Sequence, residues 1–377
     1  MHLLIMRKNN ATQIAKTLAP ELFSRATEAD QKGQLPKEDI DALKSSGYLA
    51  LNIPKRYGGY EYSLRECVEA QLELAQGSGS TAIVAAMQLQ VLGAARDCKT
   101  WADDLFERFC HETVNGALFN SVATEPDLGS PSRGNLFKST AQLTETGFCI
   151  NGHKNLTTGG HHLTHMLVKA MCDDRPAVFL VEQTREGIRW ENTWQHALSF
   201  RASDSHDVHF ENCEIPSENL VRSHPNPPGN PSPWFAMMLA SVYLGTAIAA
   251  RNTVIQYALE RVPTALGKPI ATLPKIQRQI GELDMPLQAA RSLLLDTAET
   301  WNYNIANIAR AKQYAISVAN EVTDKALQIA GGAALTPSLP LERYFRDVRA
   351  GHMQPPSGDT ALEMIGQNAI DQMKDKK

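Results

Sequence analysis

The sequence predicts an α+β fold, with a helical segment at each end and a β-rich segment between them. Three observations carry that prediction. Apolar residues recur at helical spacing in the first third of the chain, as in Ile14, Leu18 and Leu22. From Leu118 to Val221 the chain is cut by turn residues into short runs rich in Thr, Val, Phe and Ile. After the Pro-rich stretch at 223–231, long helical patterns return and continue to the C-terminus. The chain has 377 residues, 43% hydrophobic and 21% charged. Those values suit a globular chain of one large or several compact domains and oppose extensive disorder.

Taken in order, residues 1–117 read as an N-terminal α-helical domain. Arg56-Tyr57-Gly58-Gly59-Tyr60 is a turn within it, since paired glycines break both helix and strand. Helical patterns resume at Leu64 and run to about His111. Residues 118–222 read as a middle β-sheet domain. Phe148-Cys149-Ile150-Asn151-Gly152 is expected to end a strand on a hairpin-type turn, because Asn-Gly suits such turns. Leu167–Met171, Ala177–Val181 and Asp207–Phe210 are further strands, short enough for a sandwich or barrel. Residues 223–377 read as a C-terminal α-helical bundle. One helix covers about 233–262, a second carries Leu283, Leu287, Ala290 and Leu294 on one face, and a third spans about 305–330. The third stops at Gly331-Gly332, a plausible cap. Such long helices suit a four-helix bundle.

The apolar stretches at 81–95 and 236–250 fall short of the ~20 residues a membrane span needs, so they are expected to be core helices without membrane insertion. Lys and Arg total 37 against 41 Asp and Glu, a net charge of −4, which does not favour a nucleic-acid partner. Six cysteines without a C-x-x-C pair read as isolated thiols in a reducing cytoplasm. His161, His162 and His165 lie together without a carboxylate nearby in sequence, so no metal site is expected.

Four motifs then give the chain a resemblance. They are Ala123-Thr124-Glu125-Pro126-Asp127-Leu128-Gly129-Ser130, Ile150-Asn151-Gly152-His153-Lys154 with Thr158, Gln328-Ile329-Ala330-Gly331-Gly332, and Glu342-Arg343-Tyr344-Phe345-Arg346-Asp347. In order, they look like the T-E-P-x-x-G-S, I-N-G-x-K-x-x-x-T, Q-x-x-G-G and E-x-x-x-R-D motifs of the acyl-CoA dehydrogenase family. The resemblance covers about residues 12–370. It implies bound FAD, a small-molecule substrate such as an acyl-CoA or other apolar compound, and an electron acceptor that is a protein or O2. It also implies a homodimer or a homotetramer built as a dimer of dimers. Thr124, Thr157 and Thr158 would meet the flavin ring, with Thr158 at its N5. Gly129 and Ser130 would meet a phosphate. Arg261, Gln328, Gly331 and Gly332 stand where the family reaches a neighbouring subunit's flavin. Two family positions are altered, with Leu156 in place of a ring-stacking tryptophan and Pro274 in place of a flavin-contacting glutamine.

Removing an α-proton from an acyl thioester needs a carboxylate in a site that excludes water. The resemblance places that Glu at Pro355, which has no base and no backbone N–H. The family's other location, on the long helix, falls on Phe235. Asp359 and Glu363 are the acidic residues that follow the loop and are the candidate bases, although each also suits a helix beginning at Ser357. A second possibility is a flavin monooxygenase of the same superfamily, which uses reduced flavin and O2 and needs no carboxylate. His352, with Gln354 near it, is then the residue of interest. A third is a flavin-binding homologue without catalysis.

Overall fold

The computed structural model describes residues 10–99, 101–128, 136–222, 232–301 and 304–375. The chain opens with helices α1 (Ala11–Lys32), α2 (Lys37–Ser45), α3 (Leu64–Gly77), α4 (Gly79–Cys98) and α5 (Asp103–Val114). Local chemistry sets their ends. The Asn10 side chain accepts the Gln13 N–H at the start of α1, and Gly33, at φ +61°, closes it. Ser63 and Glu66 form a reciprocal capping box on α3. The stripe Ile14, Leu18 and Leu22 is buried, as the spacing predicts.

Eight strands follow: β1 (Phe119–Val122), β2 (Thr140–Leu143), β3 (Gly147–Thr157), β4 (His165–Cys172), β5 (Arg175–Glu182), β6 (Ile188–Glu191), β7 (His206–Pro216) and β8 (Leu220–Arg222). They form one sheet in the order β6-β7-β3-β2-β4-β5-β8, with β1 parallel to β4. Residues alternate between two cores along β5, with Phe179 and Val181 in the large cluster and Leu180 in a smaller one with Phe109 and Phe119. One expectation fails here. The chain does not turn at Asn151-Gly152. β3 runs straight through it with a register shift against β7, and the Asn151 side chain accepts the Asn212 N–H at 2.8 Å. Gly152 sits so close to Ser139 that any side chain would collide, so this glycine serves a bulge rather than a hairpin.

The last part carries three long helices, α6 (Trp234–Glu260), α7 (Pro274–Thr300) and α8 (Ile305–Ala330), then α9 (Leu341–Asp347) and α10 (Gly358–Lys374). α8 packs against α6, α7 and α10, which makes a four-helix bundle. α6 also packs on α3 and α4, so it is buried on nearly every side and its sequence is apolar all round. Among the described residues it is the one helix long and apolar enough to cross a membrane, and 83% of its apolar window is buried inside the fold. Its crossing over α3 is close at Gly245, where a Cβ would lie 2.6 Å from the Leu72 carbonyl oxygen.

Candidate functional site

The T-E-P loop is fastened to β3 by a buried ion pair. β3 puts Ile150 and Lys154 on its inward face, and Lys154 Nζ lies 2.6 Å from Glu125 Oε1 with both side chains essentially inaccessible. Ser139 Oγ donates to the same carboxylate at 2.7 Å, and the Lys138 backbone N–H donates to it at 2.7 Å. Burial pushes the Lys154 ammonium down to about 8 against the pull of Glu125. Burial works against the Glu125 charge too, but its bonds to Lys154, Lys138 and Ser139 prevail and hold its carboxyl below the usual range. The two groups are each other's counter-charge across 2.6 Å. The Asn155 N–H donates to the Thr124 carbonyl at 3.0 Å, which sets half-buried Thr124 against the end of β3.

That end of β3 brings Thr157 and Thr158 together. Asn120 on β1 donates to the Thr158 carbonyl at 2.9 Å. Thr158 Oγ1 bonds to Ser205 Oγ at 2.9 Å, and Ser205 Oγ bonds to Ser203 Oγ at 2.7 Å. All of these residues are buried. Leu156, at φ +53°, turns its side chain outward and is 48% exposed. Gly129 and Ser130 lie outside the described residues.

Two observations test whether a flavin dinucleotide fits. Thr157 Oγ1 and Asn120 Oδ1 are buried and have no hydrogen-bond partner among the described residues. Leaving such a group unsatisfied costs about 1–3 kcal/mol, so a polar ring edge placed here would be welcome. At the end of α8, a Cβ on Gly331 or Gly332 would meet nothing within 4 Å, which leaves that turn open to a ligand or another chain. The residues fit the group. Arg261, Gln328, Gly331 and Gly332 are all exposed, and Gln328 donates to Asp324 one turn earlier at 2.8 Å. None of the four has a hydrogen bond or ion pair to Thr124, Thr157 or Thr158 among the described residues.

The loop at Pro355 is pinned from below. Lys312 on α8 has a fully buried side chain and donates to the carbonyls of Gln354 at 2.7 Å and Pro356 at 2.8 Å. It has no acidic partner among the described residues, and burial pushes its ammonium down to about 8. His352 is half-buried above it; burial, then the charges of Lys312 and Arg349, lower its pKa. Asp359 and Glu363 are exposed on the first turns of α10. Glu363 lines an open groove with Asn304 and Asp371 rather than a dry pocket.

The E-x-x-x-R-D segment is a clasp between the three parts of the chain. Arg346 on α9 pairs with Asp30 on α1 at 2.6 Å and donates to the Leu198 carbonyl at 3.1 Å. Asp347 accepts the Phe200 N–H at 2.7 Å, and its carbonyl accepts the Ser199 hydroxyl. Of the three histidines, His161 lies against Trp190, His162 faces Asp204, and His165 stacks on Phe119 at 4.6 Å.

The sequence reading carried Lys154 only as a letter of a motif, without a role, and passed over Lys312, Asn120, Ser203 and Ser205. Two of these carried a signal. Lys154 shares strand parity with buried Ile150, and Lys312 sits four residues from both Ile308 and Ile316 on an apolar helix stripe. The other three come from segments distant in sequence and had none.

Comparison with known proteins agrees along the length of the chain. Residues 7–96, 121–213 and 237–354 match the profiles described as the N-terminal, middle and C-terminal domains of acyl-CoA dehydrogenase. The chain is 33% identical over 363 residues to the putative acyl-CoA dehydrogenase YdbM of Bacillus subtilis strain 168, covering 94% of this chain and 95% of that protein. Its fold is shared by the butyryl-CoA dehydrogenase of Megasphaera elsdenii, at a TM-score of 0.84, 24% identity, and 96% and 98% coverage. It is shared also by TdsC, a dibenzothiophene monooxygenase of Paenibacillus sp. A11-2, at a TM-score of 0.83, 21% identity, and 96% and 97% coverage.

Proposed function

The chain belongs to the acyl-CoA dehydrogenase family, and on that footing we propose that it is an FAD-dependent oxidoreductase acting on an acyl-CoA or similar acyl thioester in the cytoplasm. The observation that carries the cofactor reading is the buried edge of Asn120, Thr157 and Thr158, with two orphaned polar atoms, held in place by the Glu125–Lys154 pair. Bound FAD would supply a two-electron acceptor, with a protein or O2 taking the electrons on. Thr124, Thr157 and Thr158 would hold its ring edge, and Gly129 and Ser130 would hold a phosphate. Arg261, Gln328, Gly331 and Gly332 are open at the surface, which suits contact with the cofactor of a second copy in a dimer or tetramer. Proton abstraction falls to Asp359 or Glu363, and a second copy would have to cover either one, since both face solvent in a single chain.

One observation favours a second reading, flavin-dependent monooxygenation. The loop in the family's base position carries Pro355, is stapled by Lys312, and has half-buried His352, which feels the charges of Lys312 and Arg349, three residues before Pro355. Anaerobic mixing of the flavin-loaded protein with acyl-CoAs separates the two. Bleaching of the flavin band is the result expected of the dehydrogenase. No bleaching, with substrate consumed only when reduced flavin and O2 are supplied, selects the monooxygenase.

A further inference from the structure

Three buried hydroxyls form a chain that ends at Thr158. Ser203 is 1% exposed, Ser205 5% and Thr158 8%. Their oxygens are spaced at 2.7 and 2.9 Å, and either member of each pair can be the donor. The backbone fixes the chain rigidly. The Gly159 N–H donates to the Ser203 carbonyl at 3.0 Å, the Ser203 N–H donates to the Phe200 carbonyl at 2.9 Å, and Thr157 pairs with His206 across β3 and β7. Asp204, at φ +47°, lies between the two serines but directs its carboxylate to the Leu35 N–H at 2.9 Å, so no charge enters the hydroxyl chain.

Three hydroxyls carry three protons, and the two bonds between them use two. If the bonds run from Ser203 through Ser205 to Thr158, the Thr158 proton is the one left free to point outward. If they run the other way, Thr158 spends its proton on Ser205 and offers only lone pairs. The chain thus has two states of equal bond count, one in which Thr158 is a donor and one in which it is an acceptor.

We infer that Ser205, backed by Ser203, is a positioning residue that lets Thr158 switch between donor and acceptor toward the flavin. This rests on the reading that Thr158 faces the flavin ring. A ring nitrogen that changes from hydrogen-bond acceptor in the oxidised cofactor to donor in the reduced one requires such a reversible partner. A lone threonine could rotate to do the same, but in the acceptor state its own proton would be left unpaired beside the ring. Ser205 takes that proton and passes its own to Ser203, so the one unpaired proton sits at the far end of the chain, on Ser203 Oγ, away from the ring.

The test uses the flavin-loaded protein and reads the visible flavin spectrum and the midpoint potential. Thr158→Val, Ser205→Ala, the double variant and Ser205→Thr are compared. Ser205→Ala is expected to move the potential in the same direction as Thr158→Val, by a smaller amount. The double variant is expected to match Thr158→Val alone, and Ser205→Thr to return to the wild-type value. Should Ser205→Ala fail to fold, Ser203→Ala breaks the far end of the same chain and is expected to give a partial shift. A shift in Thr158→Val with a wild-type potential in Ser205→Ala overturns the inference while leaving the flavin site in place, as does a fully additive double variant. No shift in Thr158→Val removes the flavin site reading and the inference together.

Discussion

Glu125 and Lys154 are the residues on which the site's geometry depends most directly. Each is buried, and each is the other's counter-charge. Removing one partner of a buried pair costs about 3–5 kcal/mol, because the remaining charge is stranded. Lys154→Met should therefore lower unfolding free energy by that order in a denaturant titration, and should weaken flavin loading because Thr124 and Thr158 lose their common support. Replacing both residues with apolar ones should recover much of the stability. If Lys154→Met unfolds like wild type, the pair does not fasten the T-E-P loop to β3. At this scale the sequence is partly legible. Thr158 stands in a motif, and a lysine on the buried parity of a strand announces an acidic partner. Ser203 and Ser205 could not be foreseen, since their meeting with Thr158 depends on β7 lying beside β3.

At the level of the elements, the loop between α9 and α10 is held from below by a buried lysine. Lys312 holds both of its arms by donating to the carbonyls on either side of Pro355. Its native pKa of about 8 lies below the unfolded value of 10.5. Between those values the unfolded chain keeps a proton that the native state has released, so this group's contribution to stability rises with pH through that window. The rise is on the order of 3 kcal/mol at full burial. Lys312→Met should remove that rise, and the stability difference between the two proteins at pH 7 and pH 10 measures it. Dehydrogenation makes a separate prediction for α10: Asp359→Asn or Glu363→Gln cuts turnover by about 10²–10⁴-fold with flavin still bound. If both variants retain full turnover, proton abstraction by α10 is excluded, and His352→Ala and Gln354→Ala become the informative changes. The helices themselves were readable from their caps and stripes. The strand through Asn151-Gly152 was misread because a bulge and a hairpin use the same residues, and only the partner strand distinguishes them.

Across the whole molecule, the clasp of Arg346 and Asp347 joins α9 to α1 and to the segment at Leu198–Phe200. Burial, then the nearby Asp30 charge, raises Asp347 to about 7 from 3.8, against the pull of Arg343 and Arg346. Its native state binds a proton more tightly than the unfolded chain does. The associated stability is full below about pH 4 and is lost as pH rises through about 7. Asp347→Asn keeps the acceptor for the Phe200 N–H but cannot ionise. Wild type should therefore lose stability relative to Asp347→Asn between pH 5 and pH 8, as followed by denaturant unfolding, whereas a constant difference would mean that Asp347 does not titrate there. The three-part architecture was legible because helical spacing gives way at Leu118 to short runs cut by turn residues and returns after the Pro-rich stretch at 223–231. The joints were not, because the residues that clasp lie more than a hundred positions apart. The exposed Arg261, Gln328 and Gly331 lead to the expectation of a dimer or larger assembly at micromolar concentration, measurable by sedimentation. The edge formed by Asn120, Thr157 and Thr158 is expected to hold FAD, and titration of FAD into flavin-free protein checks this. Binding is expected to saturate at one FAD per chain, to quench or shift the flavin fluorescence, and to stabilise the fold by about 2.7 kcal/mol at 100 times Kd. Absence of both binding and stabilisation at saturating FAD would contradict it.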